Sequence, residues 1–324
     1  MGSLMRRTLL VALAALVAME VTLHLFGERI GEPQFWYAPD AQQVIGEMDR
    51  LQEAGLTSDL VLAGSSMVRW GIRPPVLEDG LSSIMRANNA GLPKGYTTVT
   101  RRWLLEEVLP RLIPERVVWG LTSLDFNGGR PTPAIVEYEE ARAGALGLFG
   151  SLDRGLWSVS MVARYRDLIR GPAFVLHLFD PVPERPPEIA LEDLMQPVDW
   201  PELRQTQQGL LDLKSSLLAD FHIGERHAED FAYTVETLGD SGVEVVIVLL
   251  PVSAEYVAAH PNGAEGFESF LDWIRSEGER LGVPMFDYSR AIPEEEFLDY
   301  NHVGPSGATM LTEMLLADLS GLGW

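Results

Sequence analysis

A chain of 324 residues that is 46% hydrophobic can bury one large core, or a core plus a sizeable insertion. Its 47 acidic residues against 25 basic ones, a formal charge of −22, and the lack of any Lys/Arg-rich run argue against nucleic acid as a partner. Cysteine is absent, which removes disulfides, thiolate metal sites, a Cys nucleophile and a lipidated Cys, and the expectation for the domain is no cofactor and no metal.

The first predicted element follows Arg6 and Arg7. At about 1.5 Å per residue the apolar run Thr8–Phe26 nearly spans roughly 30 Å of hydrocarbon. With the two arginines on the cytoplasmic side, everything after Phe26 lies outside. Small residues do not occupy both cleavage positions after a long enough apolar run, so 1–27 reads as an uncleaved signal anchor. The expectation is a single-pass protein of a bacterial cytoplasmic membrane, its C-terminal domain in the periplasm. Glu20 and His24 are four apart and share a helix face. They either sit at the outer headgroup level or contact a membrane partner, with a pigment or metal at His24 as a further option. Residues 28–57, including Phe35-Trp36-Tyr37, read as a juxtamembrane linker.

An α/β pattern occupies 58–324. Strands are expected at 59–64, 84–91, 115–123, 242–253 and 282–289, and helices at 97–112, 225–239, 264–280 and 305–319. Continuously apolar strands alternating with helices indicate a parallel sheet covered on both faces. The stretch 128–241 is too long for an ordinary connection and reads as an insertion, with a Pro-rich run at 180–188.

The first strand stops on Gly64-Ser65-Ser66, at the end of the sheet where ligands of such folds bind. A Ser there either caps the next helix or acts as a nucleophile. The second reading needs partners, and "FLDYNHVGPSG" supplies them. Asp299 and His302 stand three apart before a helix, so the carboxylate can hold one imidazole nitrogen while the other faces a serine. The remaining histidines fit less well: the spacing of His222, His227 and Glu229 splits the rings between helix faces, and His177 and His260 read as surface or cap residues.

With these residues the chain resembles the SGNH, or GDSL-like, hydrolase superfamily over roughly 58–320, the insertion excepted. The resemblance implies a three-layer α/β/α, flavodoxin-like fold with a five-stranded parallel sheet. It also implies Ser66 as nucleophile in the first block, Gly95 or Gly91 of "NNAGLPKGYT" as an oxyanion donor in the second, and Asp299 and His302 in the last. The third block departs from the family pattern, because Asp125 stands where an Asn is usual. Asn127 then takes the donor role, Asp125 is protonated or turned to its own turn, or the site is inactive. Membrane-anchored relatives with a similar first block and Asp resemble cell-envelope acyl-modifying proteins.

Two functions follow. One is an extracytoplasmic esterase or O-acyltransferase acting on acylated glycans or small esters. The other is a non-catalytic accessory subunit of a membrane assembly, photosynthetic or respiratory for example, that meets integral membrane partners through the anchor and the insertion.

Overall fold

The computed structural model describes residues 2–26, 39–93, 95–129, 160–165 and 220–324, together with Leu152, Leu156, Val159 and Leu218. Phe35-Trp36-Tyr37, His177, the run 180–188 and most of the expected insertion lie outside the described residues. The chain divides into two compact units, Met1–Gln42 with Glu137–Ala190, and Gln43–Val136 with Leu191–Trp324.

In the second unit the strands β1 Leu60–Ala63, β2 Ala87–Asn89, β3 Arg116–Leu121, β4 Glu244–Leu249 and β5 Met285–Asp287 form one sheet. It is parallel throughout, in the order β2-β1-β3-β4-β5. Leu62 pairs with both Asn89 and Val118, and Leu249 with both Leu121 and Asp287. The chain leaves β1 for β2 on one side and returns across β1 to β3 on the other. That reversal opens a crevice beyond the carboxyl ends of β1 and β3. All four residues of β1 are fully buried, as continuous apolar runs in a sheet covered on both faces should be.

The helices in chain order are α1 Gly2–Phe26, α2 Pro39–Glu53, α3 Ser66–Gly71, α4 Pro74–Gly80, α5 Thr97–Arg102, α6 Leu109–Leu112, α7 Met161–Arg164, α8 Glu225–Asp240, α9 Ala254–Ala258, α10 Ala264–Leu281 and α11 Pro305–Gly321. α11 packs on α3 and α4, whereas α8 packs on α5 and α10. α8 buries Phe231, Val235 and Leu238, and α10 buries Phe267, Phe270, Leu271 and Ile274. Both sets follow the spacing of one apolar helix stripe.

Two local expectations change. The helix expected over 97–112 is interrupted by a π turn at Trp103–Val108. Pro110 has no N–H to donate, and just before it the ladder widens so that the Leu109 N–H reaches Leu104 O. The linker expected over 28–57 contains α2, which buries Val44 and Met48 one turn apart. Its other residues are mostly polar, which hides a stripe this narrow.

In the first unit, α1 holds a segment, Arg6–Leu25, long and apolar enough to cross a membrane. Leu9, Leu10, Val11, Leu13, Leu16 and Val17 are each more than half exposed. Leu23 is buried, and α1 packs against α7.

Candidate active site

The site begins with two glycines. Gly64 has φ +141°, and a Cβ there would lie 2.5 Å from Gly120 O and 2.6 Å from Val68 Cγ2. Gly64 thus lets the chain turn sharply off β1 while lying against β3. The question of which serine caps is then answered by geometry. Ser65 is the N-cap of α3: its Oγ accepts from the Met67 N–H at 3.4 Å, and its carbonyl accepts from Val68 and Arg69. The Ser66 hydroxyl is left for another partner, which is His302 Nε2 at 2.8 Å.

His302 comes from a loop between β5 and α11 that folds on itself. Phe297 and Val303 form an antiparallel bridge, and the Leu298 N–H donates to His302 O. Asp299 Oδ1 accepts the backbone N–H groups of Asn301 and His302 at 2.9 and 2.8 Å. Its other oxygen, Oδ2, lies 2.7 Å from His302 Nδ1. One carboxylate thus holds both the loop and the ring. Burial works to raise the Asp299 carboxyl, but the bond and charge of His302 and the two N–H donors outweigh it and hold it below the usual range. An ionised Asp299 on Nδ1–H leaves Nε2 as an acceptor, so Ser66 donates its proton along that bond. Ser66 is partly exposed and the His302 side chain is 19% exposed, so solutes can reach the pair.

The expected oxyanion donors behave differently. The Gly95 N–H donates to Leu92 O at 2.7 Å, and the Gly91 N–H to Asn89 Oδ1 at 3.0 Å. Both hydrogens are spent in local turns. What these positions need is space: a Cβ on Gly91 would meet Arg69 N at 2.7 Å, and one on Gly95 would meet Leu92 O at 2.6 Å. Asp125 is buried and faces its own turn, its Oδ2 accepting from Thr122 N at 2.6 Å and Thr122 Oγ1 at 3.0 Å. Burial drives its carboxyl up to about 7 against the pull of those donors. The stretch Thr122-Ser123-Leu124-Asp125 is a capping box, with an Asp in the usual Glu/Gln place, and is visible in the sequence as such. Asn127 Oδ1 accepts from the Gly129 N–H at 2.9 Å, and its backbone bridges to Ile223. The Ser66 N–H, first in α3, has no acceptor within its helix.

Residues that the sequence did not single out support the pair. Asn89, at the end of β2, donates through Nδ2 to Val68 O and Ile72 O at 3.0 and 3.1 Å, binding the carbonyl end of α3. Arg69 donates to Asn89 O at 2.7 Å and forms a two-pronged ion pair with Glu47 of α2. Trp70, one turn beyond Ser66, lays its ring 4.9 Å from the His302 ring. The Asn-Asn-Ala-Gly run after a short strand was the signal for Asn89. Glu47 carried none, since it lies in the segment read as a linker.

Three further histidines, His260, His227 and His222, make contacts away from the pair. His260, expected as a surface or cap residue, is 4% exposed among Phe221, Tyr256 and Phe267. Its Nε2 is 2.8 Å from Ser123 Oγ, its Nδ1 has no partner, and burial pushes it down to about 4. His227 is buried with Nδ1 2.9 Å from Thr98 Oγ1, whereas the exposed His222 donates from Nδ1 to Asp220 O. Among the described residues no group of three His, Asp or Glu is close enough to hold a metal ion.

Glu20 turns out to have a partner within its own unit. Its carboxylate accepts from Ser160 Oγ at 2.8 Å and from the N–H groups of Met161 and Val162 at 2.6 and 3.0 Å. His24 lies 3.9 Å from it with its side chain 65% exposed.

No family model matches the chain, and no curated protein matches it. Among solved structures it is similar to a putative acylhydrolase from Bacteroides fragilis, at 10% identity and a TM-score of 0.46, covering 87% of this chain and 97% of that one. It is also similar to a GDSL-like lipase from Bacteroides thetaiotaomicron, at 11% identity and TM-score 0.41, over 86% and 99% of the two chains. A carbohydrate acetylesterase family member from Sinorhizobium meliloti shows 16% identity and TM-score 0.39, over 81% and 97%. At such identities the functional argument rests on the site.

Proposed function

We propose that the protein is a membrane-anchored extracytoplasmic serine esterase or O-acyltransferase acting on acyl esters of envelope glycans. One observation carries the chemistry: Ser66 Oγ, His302 and Asp299 form a continuous chain of hydrogen bonds of 2.8 and 2.7 Å at the reversal point of the sheet. In the proposed reaction Ser66 Oγ attacks the acyl carbon as His302 Nε2 takes its proton. The alcohol leaves with that proton, giving acyl-Ser66 and a neutral imidazole. Water or an acceptor hydroxyl then attacks, His302 removes its proton, and returning the proton to Ser66 Oγ frees the product. Asp299 stabilises the imidazolium in both halves, and the Ser66 N–H is an oxyanion donor.

The topology of the proposal comes from Arg6, Arg7 and the apolar span of α1. Glu20 supports a retained anchor, because three donors at 160–162 depend on its carboxylate. The accessory-subunit reading also has an observation in its favour: the N–H groups of Gly91 and Gly95 are spent and Asp125 faces away.

The test is to extract the full chain in detergent and supply an O-acetylated glycan with and without an unacetylated acceptor. Released acetate identifies an esterase, and acetyl on the acceptor a transferase. A chain that does neither and leaves the membrane only within a larger assembly fits the subunit reading instead.

A further inference from the structure

Ser66 and Trp70 are four apart on α3, so both lie on one face of that helix. The two residues flank His302 together: its Nε2 is 2.8 Å from Ser66 Oγ, and its ring centroid is 4.9 Å from that of Trp70 at 54°. Trp70 is 47% exposed, whereas Trp103 and Trp119 are fully buried and Trp324 is 8% exposed. A wide indole face left open to solvent forgoes a large hydrophobic gain, and beside a reactive pair it is a ready contact surface.

The direction of acyl transfer says which half of an ester would meet that surface. The alcohol oxygen must receive its proton from His302 Nε2, so the alcohol lies on the imidazole side of Ser66 Oγ. The acyl chain extends from the carbonyl carbon away from that side. Trp70 stands next to the imidazole, hence beside the alcohol. An indole face pairs best with a ring that offers a broad face, either the face of another aromatic or the C–H face of a pyranose chair.

We propose that Trp70 is the platform for the alcohol half of the substrate and selects esters whose hydroxyl is carried on a ring with a face that can stack on the indole. The proposal rests on the esterase reading above. It assigns specificity for the alcohol to Trp70 and leaves the choice of acyl group to other residues.

The experiment uses the detergent-extracted full chain with three acetates, an aryl acetate, an O-acetylated methyl pyranoside and ethyl acetate, plus a series of acyl lengths on the aryl alcohol. Each is run with wild type, Trp70→Leu and Trp70→Phe, and fluorophosphonate labelling of Ser66 serves as a control without a ring alcohol. Trp70→Leu is expected to lower kcat/KM for a ring acetate about tenfold more than for ethyl acetate, mainly through KM, and to slow labelling no more than it slows ethyl acetate turnover. Trp70→Phe should recover most of the loss. A loss confined to the aryl or to the pyranosyl arm supports the platform and names its ring.

An equal fall on all three acetates, with slower labelling, means that Trp70 only positions His302 and overturns the proposal. A changed preference for acyl length puts the indole under the other half and overturns it too. A wild type that is neither labelled nor active on any ester defeats the esterase reading itself, and this proposal with it.

Discussion

Two serine–histidine pairs in this molecule have the same separation and opposite surroundings. Ser66 Oγ and His302 Nε2 are 2.8 Å apart, as are Ser123 Oγ and His260 Nε2. His302 has the carboxylate of Asp299 on its second nitrogen, whereas the second nitrogen of His260 has no partner. Ser66 is partly exposed, and Ser123 is completely buried with Tyr256 OH 2.7 Å from its hydroxyl. A short Ser–His distance therefore says little by itself. A general base also needs a group that stabilises its charged form and a route for substrate. His260 is instead held neutral by its apolar cage, which suits a core and not proton transfer.

The comparison breaks most visibly if the two serines are exchanged in importance. Ser66→Ala should lower ester turnover by about 10⁴-fold or more, with the thermal midpoint little changed. Ser123→Ala should leave turnover within about twofold yet cost about 1–3 kcal/mol of stability, because it strips buried partners from Tyr256 and His260. Steady-state rates and denaturant melts on both variants decide the matter. Equal losses of activity would mean that the buried pair takes part in the chemistry.

The carboxylate is the next point of difference. Asp299→Asn should reduce kcat by about 10³–10⁴-fold, since an amide neither stabilises the imidazolium nor favours the tautomer with Nε2 free. It also removes an ionised group held below its usual range. That group contributes stability above the ordinary carboxylate value and loses it as pH falls, so the variant should lose stability at pH 7 and not in acid. A variant with full turnover would reduce Asp299 to a clasp for its loop.

A smaller effect separates capping from catalysis at Asp125. Its folded value of about 7 lies above the ordinary one of 3.8. Below the ordinary value both folded and unfolded chains are protonated. Between the two values only the unfolded chain ionises, so wild type loses stability as pH rises to about 7. Asp125→Asn does not titrate and should gain on wild type progressively across that window, most near pH 7 and hardly at all at pH 4. Thermal melts at both pH values check this. Turnover should change little, because the side chain faces Thr122; a large rise would put an amide at the oxyanion after all.

What the sequence made legible follows from what neighbours in a chain can reveal. β1, the Gly64 turn and the Asp299–His302 loop are local, so their ends of the sheet could be read before any packing was known. Gly91 and Gly95 could be read as glycines near the site, but whether an N–H is spent depends on Asn89 Oδ1 and Leu92 O, which composition does not reveal. His260 was misread because its cage combines Phe221, Tyr256 and Phe267 from separate segments. Asp125 follows one of the outcomes left open for it, turning to its own turn, because Thr-x-x-Asp is a cap signal written entirely in neighbouring residues. α2 was missed because its buried stripe is narrow within polar neighbours.

The most direct test of the account is to react the full detergent-extracted chain with a fluorophosphonate and map the adduct by peptide mass spectrometry. The account predicts one adduct, on Ser66, lost in His302→Ala and absent from Ser123. An unmodified Ser66 under conditions that saturate a known serine esterase, or an adduct on Ser123, would contradict it.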